Sequence, residues 1–236
     1  MSSLLSLTAC IGSDFPPEPS VDEEGLAVLG GLEHVASQSL CTDSGLRWSA
    51  WEGDDAPFKL GRSSGTAGVV STLLEGAQHF ARAPLSDDET DQNEPFRWLS
   101  LARAGADSLT DLAERSSDGS LSWPSCVPID ADTSLCDGSQ AAPRSCSEEE
   151  RAPEPGLATG VAGIGLTLLE LSEAQPLWEP WSSALNDEAP FELSSQLCAW
   201  QQDAEAAGRW LLSQQCSEGG WALQGNCESG TRATGL

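Results

Sequence analysis

The chain has 236 residues, of which 37 are acidic and 11 basic, for a formal net charge of −26. Such a surplus repels phosphate and anionic lipid, which excludes nucleic acid and a basic membrane-binding patch as first readings. The hydrophobic fraction of 39% is low for a globular chain but too high for a wholly disordered one, and the length allows one domain, or two small ones, with a real core. No apolar run approaches the roughly 18 residues of a membrane-spanning helix.

From the N-terminus, Leu7-Thr8-Ala9-Cys10 resembles a bacterial lipobox, in which the leader is cut before a Cys that is then acylated. Small residues at Thr8 and Ala9 suit a peptidase cleft, and the Cys10 thiol suits thioether formation. The apolar stretch is short and no Lys or Arg precedes it, which departs from the usual leader. Residues Gly12 to Ser20 carry three prolines, which forbid a helix and favour an extended tether. Residues 1–20 therefore read as a lipoprotein-like leader and tether. That implies a bacterial cell-envelope location with membrane contact only through lipid on Cys10.

Residues 21–236 read as a helical repeat domain. Ser20 and Glu23 form a capping box, and Val28, Leu32 and Val35 follow at helical spacing. A second amphipathic stripe runs Trp98, Leu101, Gly105, Leu109, Leu112, and a third runs Leu193, Leu197, Trp200, Ala204, Ala207, Leu211. Each stripe is followed by a Gly turn and a Trp: Gly45 with Trp48, Gly119 with Trp123, Gly219-Gly220 with Trp221. Gly supplies the backbone freedom of a tight turn, and the Trp folds back as an apolar plug.

Two Gly-rich segments match each other. Gly65-Thr66-Ala67-Gly68-Val69-Val70-Ser71-Thr72-Leu73-Leu74-Glu75 aligns with Gly160-Val161-Ala162-Gly163-Ile164-Gly165-Leu166-Thr167-Leu168-Leu169-Glu170. Both predict a helix apolar around most of its circumference, hence an inner layer, with Gly marking close approach of another backbone. The repeating unit is a Gly-rich inner helix, an amphipathic outer helix and a Gly-Trp turn. A polar loop over residues 126–155, rich in Ser, Asp, Glu and Pro, interrupts the array and reads as disordered. The segment Ser229 to Leu236 reads as the opening of a further unit.

Gly156-Leu157-Ala158-Thr159-Gly160-Val161-Ala162-Gly163-Ile164-Gly165-Leu166, together with the Asp118 to Pro124 turn, resembles the lanthionine synthetase C-like family. The resemblance implies an all-α fold: here an incomplete α/α toroid built from helix-hairpin repeats. It also implies a zinc-dependent peptide cyclase, in which the metal activates a thiol for addition to a dehydrated Ser or Thr. The family's His or Cys-His before the second Gly is replaced by Ala158-Thr159 in one unit and Ser63-Ser64 in the other, and Trp221 is followed by Ala222 rather than a Cys. The expectation is therefore a non-catalytic or degenerate member with no metal and no cofactor, binding a peptide, a glycan or a partner protein. The alternatives are a cyclase fragment whose ligands lie elsewhere, or a carbohydrate-active toroid enzyme. Gly208-Arg209-Trp210-Leu211-Leu212-Ser213-Gln214-Gln215 before Gly219-Gly220-Trp221 is also similar to the repeat of prenyltransferases and squalene-type cyclases, whose acidic cluster finds only Asp130 and Asp132 here.

Candidate ligand-binding residues are the turn tryptophans Trp48, Trp123 and Trp221. The candidate carboxylate pair for glycoside chemistry is Asp118 and Glu218, at matching turn positions. Of the eight cysteines, Cys216 and Cys227 flank the third turn, two of Cys126, Cys136 and Cys146 are expected to pair, and Cys41 and Cys198 either pair or stay buried. His34 and His79 read as structural residues on helix faces.

Overall fold

A computed structural model of the chain describes residues 21–42, 45–48, 58–82, 94–128, 134–135, 145–179 and 189–221. Helix α1 spans Val21–Ser37. The chain then turns through β1, Ser39–Thr42, and β2, Gly45–Trp48. Helix α2, Thr66–Arg82, and helix α3, Glu94–Asp111, form the most extensive helix pair. After them come β3, Glu114–Arg115, β4, Leu121–Ser122, and β5, Ser134–Leu135. A short α4, Glu148–Arg151, leads to α5, Val161–Glu173, and a one-turn helix α6 at 175–179. The described chain closes with α7, Ala189–Ser213, which pairs with α5.

The all-α expectation is overturned. Strands β2, β1 and β5 form one antiparallel sheet and β3 and β4 a second, so the described chain is a mixture of helices and two small sheets, and nothing in it supports a toroid. The reason lies in the Gly-Trp turns, whose sequence predicts a tight reversal but not the pairing of its flanks. Gly45, Gly119 and Gly219 have φ of +126°, +80° and +87°, the only left-handed backbone among the described residues. A positive φ reverses the chain tightly enough for the flanks to pair. Ser39 thus sits opposite Trp48 and Glu114 opposite Ser122, and Gln215 bridges to Trp221.

The helices themselves follow the predicted stripes. Trp98, Leu109, Trp200 and Ala207 are buried, and Leu32 lies against Gly76 of α2, where a Cβ would collide with it. The two Gly-rich segments start their helices identically. Thr66 N–H donates to the Lys59 carbonyl (3.0 Å) and Val161 N–H to the Glu154 carbonyl (2.7 Å), so the incoming loop folds over the first helical turn. A side chain at Gly68 or Gly163 would strike the equivalent carbonyls of Arg62 and Leu157. The close backbone approach is therefore to each helix's own entry loop.

The described parts of the long polar loop are structured. Cys126 and Cys146 form a disulfide, Ser147 and Glu150 cap α4 reciprocally, and Ser125 Oγ donates to the Ala152 carbonyl (2.8 Å). Residues 134–135 add the third strand to the first sheet. The covalent and backbone bonds overcome a composition that by itself favours disorder.

Candidate functional site

The turn tryptophans hold helix ends. Trp48 Nε1 donates to the Val35 carbonyl (2.9 Å), Trp123 Nε1 to Leu109 (2.7 Å) and Trp221 Nε1 to Leu211 (2.8 Å). Each acceptor is the third residue from the end of its helix. Trp178, which the motif did not include, does the same for α5 through Leu171 (3.0 Å). Carbonyls in the last turn of a helix lack the regular donor four residues on, and the indole N–H supplies one while its rings fill the gap beneath; the Val35, Leu171 and Leu211 carbonyls also accept a backbone N–H from three residues on (3.2, 3.3 and 3.1 Å). Trp48 and Trp123 are buried at 2% and 1% exposure, so neither offers a face to a ligand. Trp221 is half-buried.

Asp118 is fully exposed and accepts from Ser120 N (2.9 Å) and Ser120 Oγ (2.7 Å) across the second turn. Those hydrogen bonds, the backbone one foremost, hold its carboxyl below the usual range. Such a carboxylate, with Oδ1 engaged twice within its own turn, is a turn-former. Glu218 is exposed on the third turn. Cys10, Cys136, Cys227, Asp130 and Asp132 lie outside the described residues. Cys41 and Cys216 are disulfide-bonded, whereas Cys198, expected to pair or to be buried, is free and exposed on α7. His79 stacks edge-on against Phe80, with ring centres 5.2 Å apart. Among the described residues, no cluster of three or more His, Cys, Asp or Glu is arranged to hold a metal ion. Among them, no helix is long and apolar enough to cross a membrane.

The units are joined by polar fasteners. Glu170 of α5 takes Arg62 Nη2 on Oε1 (2.8 Å) and Ser71 Oγ on Oε2 (3.0 Å), which ties α5 to α2 and its entry loop. Thr167 Oγ1 reaches the Gly163 carbonyl of its own helix (3.1 Å) and the Ala67 carbonyl of α2 (3.4 Å). Further out, Arg115 of the second hairpin meets Asp203 of α7 (3.0 Å), and Arg209 donates to the Gly119 carbonyl (3.3 Å).

An apolar groove of about 320 Å³ runs between α5 and α7. Ala162, Gly165, Leu166 and Leu169 form one wall; Ala204, Gly208 and Leu211 form the other, with Gln201 and Glu205 at the rim. Leu166 is 37% exposed. Small residues keep the two helices close and leave the trough shallow, while the leucines give it an apolar floor. The sequence reading missed this groove. Its signal was present in the aligned segments, where Ser71 of one stands opposite Leu166 of the other: a polar-to-apolar exchange on an otherwise repeated face. Compared with known proteins, the chain matches no family model, no curated protein and no solved structure.

Proposed function

We propose that this chain is a non-catalytic repeat protein of lanthionine synthetase C-like kind, carried on the bacterial envelope by lipid on Cys10, and that it works by binding a polypeptide. The observation that carries the binding role is the open groove between α5 and α7. Its walls are alkyl and backbone atoms with polar groups only at the rim, which suits an apolar side-chain row better than a glycan, whose hydroxyls need convergent hydrogen-bonding partners. The Cys126–Cys146 disulfide, with Cys41 and Cys216 also oxidised, favours an oxidising compartment over a cytoplasm. Ser63-Ser64 and Ala158-Thr159 offer hydroxyls and a methyl where the cyclases place zinc ligands.

Elemental analysis of the purified full chain tests the non-catalytic reading. Zinc is expected well below one atom per chain, and one tightly held zinc per chain would overturn it. Membrane fractionation tests the anchor: the native chain is expected in the envelope pellet and Cys10→Ser in the soluble fraction.

A further inference from the structure

We infer that the groove between α5 and α7 receives one helix of a partner polypeptide, apolar at the position where α5 itself carries Glu170. The inference rests on the binding-protein reading and assigns it a surface. Within this molecule the equivalent surface is already filled by a helix. Ala67, Ser71 and Leu74 on α2 are buried, and α5 lies against that helix through Thr167 and Glu170. The aligned positions on α5 are Ala162, Leu166 and Leu169, and these line the open groove. Among the described residues, no helix covers on α5 the surface that α2 buries.

The chemistry of the fastening changes at this step. Glu170 is held on α2's side by Arg62 and Ser71. The residues aligned with Arg62 and Ser71 are Leu157 and Leu166, exposed at 36% and 37%. An arriving carboxylate would be desolvated against two leucines, with no cation among the described residues that line the groove, which is unfavourable, whereas an apolar side chain would bury both. This disfavours a second copy of the chain as the occupant. The face a second copy would present in the same way is that of α2, with Thr72 and Glu75 aligned to Thr167 and Glu170. The partner helix therefore combines small residues, as at Gly163, with an apolar residue in place of the Glu.

The test titrates the full chain with a labelled peptide spanning residues 156–175, in its native form and with Glu170→Leu. The Glu170→Leu peptide is expected to bind saturably and about tenfold or more tighter than the native one, the gain of burying one leucine. In the protein, Gly208→Gln fills the groove wall; a Cβ there meets no atom within 4 Å, and Gln favours helix over Gly, so the fold is kept. That variant should weaken peptide binding tenfold or more, with its thermal melt unchanged or raised. Equal affinity for the two peptides, or Gly208→Gln binding as the native chain does, would overturn the assignment. So would a dimer of the free chain in sedimentation that Gly208→Gln dissolves, since the occupant would then be a second copy. One zinc per chain would end the non-catalytic reading without altering the peptide comparison, and equal peptide affinities would end the groove assignment while leaving that reading standing.

Discussion

Six of the seven described tryptophans fall into two chemical classes. Trp48, Trp123, Trp178 and Trp221 each donate an indole N–H to a helix-terminal carbonyl. Trp98 and Trp200 are fully buried, and their Nε1 atoms find no acceptor among the described residues. Trp200 is packed against Trp178, with ring centres 5.6 Å apart, and Arg97 stacks over Trp98 at 4.6 Å. Replacing Trp123 by Phe takes the indole donor from the buried Leu109 carbonyl, which costs about 1–3 kcal/mol, whereas the same change at an unsatisfied N–H removes a buried polar group that has no partner. Trp123→Phe should therefore lower denaturant-measured stability by about 1–3 kcal/mol more than Trp98→Phe. Equal losses would show that packing volume alone sets the worth of these residues. The presence of a Trp after each turn was legible in the sequence. Whether its face met solvent or its N–H met a carbonyl depended on where the hairpin laid the ring.

At the scale of elements, the turn that follows each outer helix decides the architecture. The first hairpin lies on α3: Arg47 Nε donates to Ser108 Oγ (2.9 Å), and a side chain at Gly45 would run into the Ala104 carbonyl. The second hairpin lies on α7 through Arg115 and Asp203. These two hairpins therefore pack on the outer helix of the following unit, which links the units beyond their helix contacts. Gly119 has the same sign of φ as Gly45 but open space around it. Gly119→Ala should cost about 1–2 kcal/mol, the penalty of left-handed backbone alone. Gly45→Ala should cost more, because it also forces β2 off α3, and chemical denaturation of the two variants would show the order. Helices α1, α2, α3, α5 and α7 were legible because their apolar period is strong. The strands were not, because β3, β4 and β5 are two residues each and carry no alternation.

Over the whole molecule the charge of −26 sets the response to pH. Burial pushes the Asp107 carboxyl up, with Arg103 opposing, and burial likewise pushes Asp203 up, with Arg115 opposing. A carboxyl raised above its ordinary 3.8 favours the folded state when protonated. The stability tied to that proton is complete below the ordinary value and is lost as pH rises through the raised one. Acidification also relieves repulsion among the surplus carboxylates. The melting temperature should therefore rise as pH falls from neutrality toward about 5, and the Asp107→Asn/Asp203→Asn double variant should show a flatter rise. A melting temperature that falls over that interval would show that ion pairs such as Arg62–Glu170 and Arg97–Glu33 dominate instead.

Helix α4, inside the polar loop, and α6 were not legible along the chain, whereas five of the helices, the repetition of two units, the places where the chain reverses and the candidacy of Cys126 and Cys146 for a pair were. These are local properties: apolar period, glycine at a turn, and thiols along one loop. Packing in three dimensions made the reversals pair as β-strands, brought the tryptophans onto helix ends, and left the surface that α2 buries without a described helix over it on α5. Those outcomes depend on which groups from distant units arrive opposite one another. An indole N–H and a carbonyl, or a carboxylate and a guanidinium, acquire their roles only when packing removes the water between them.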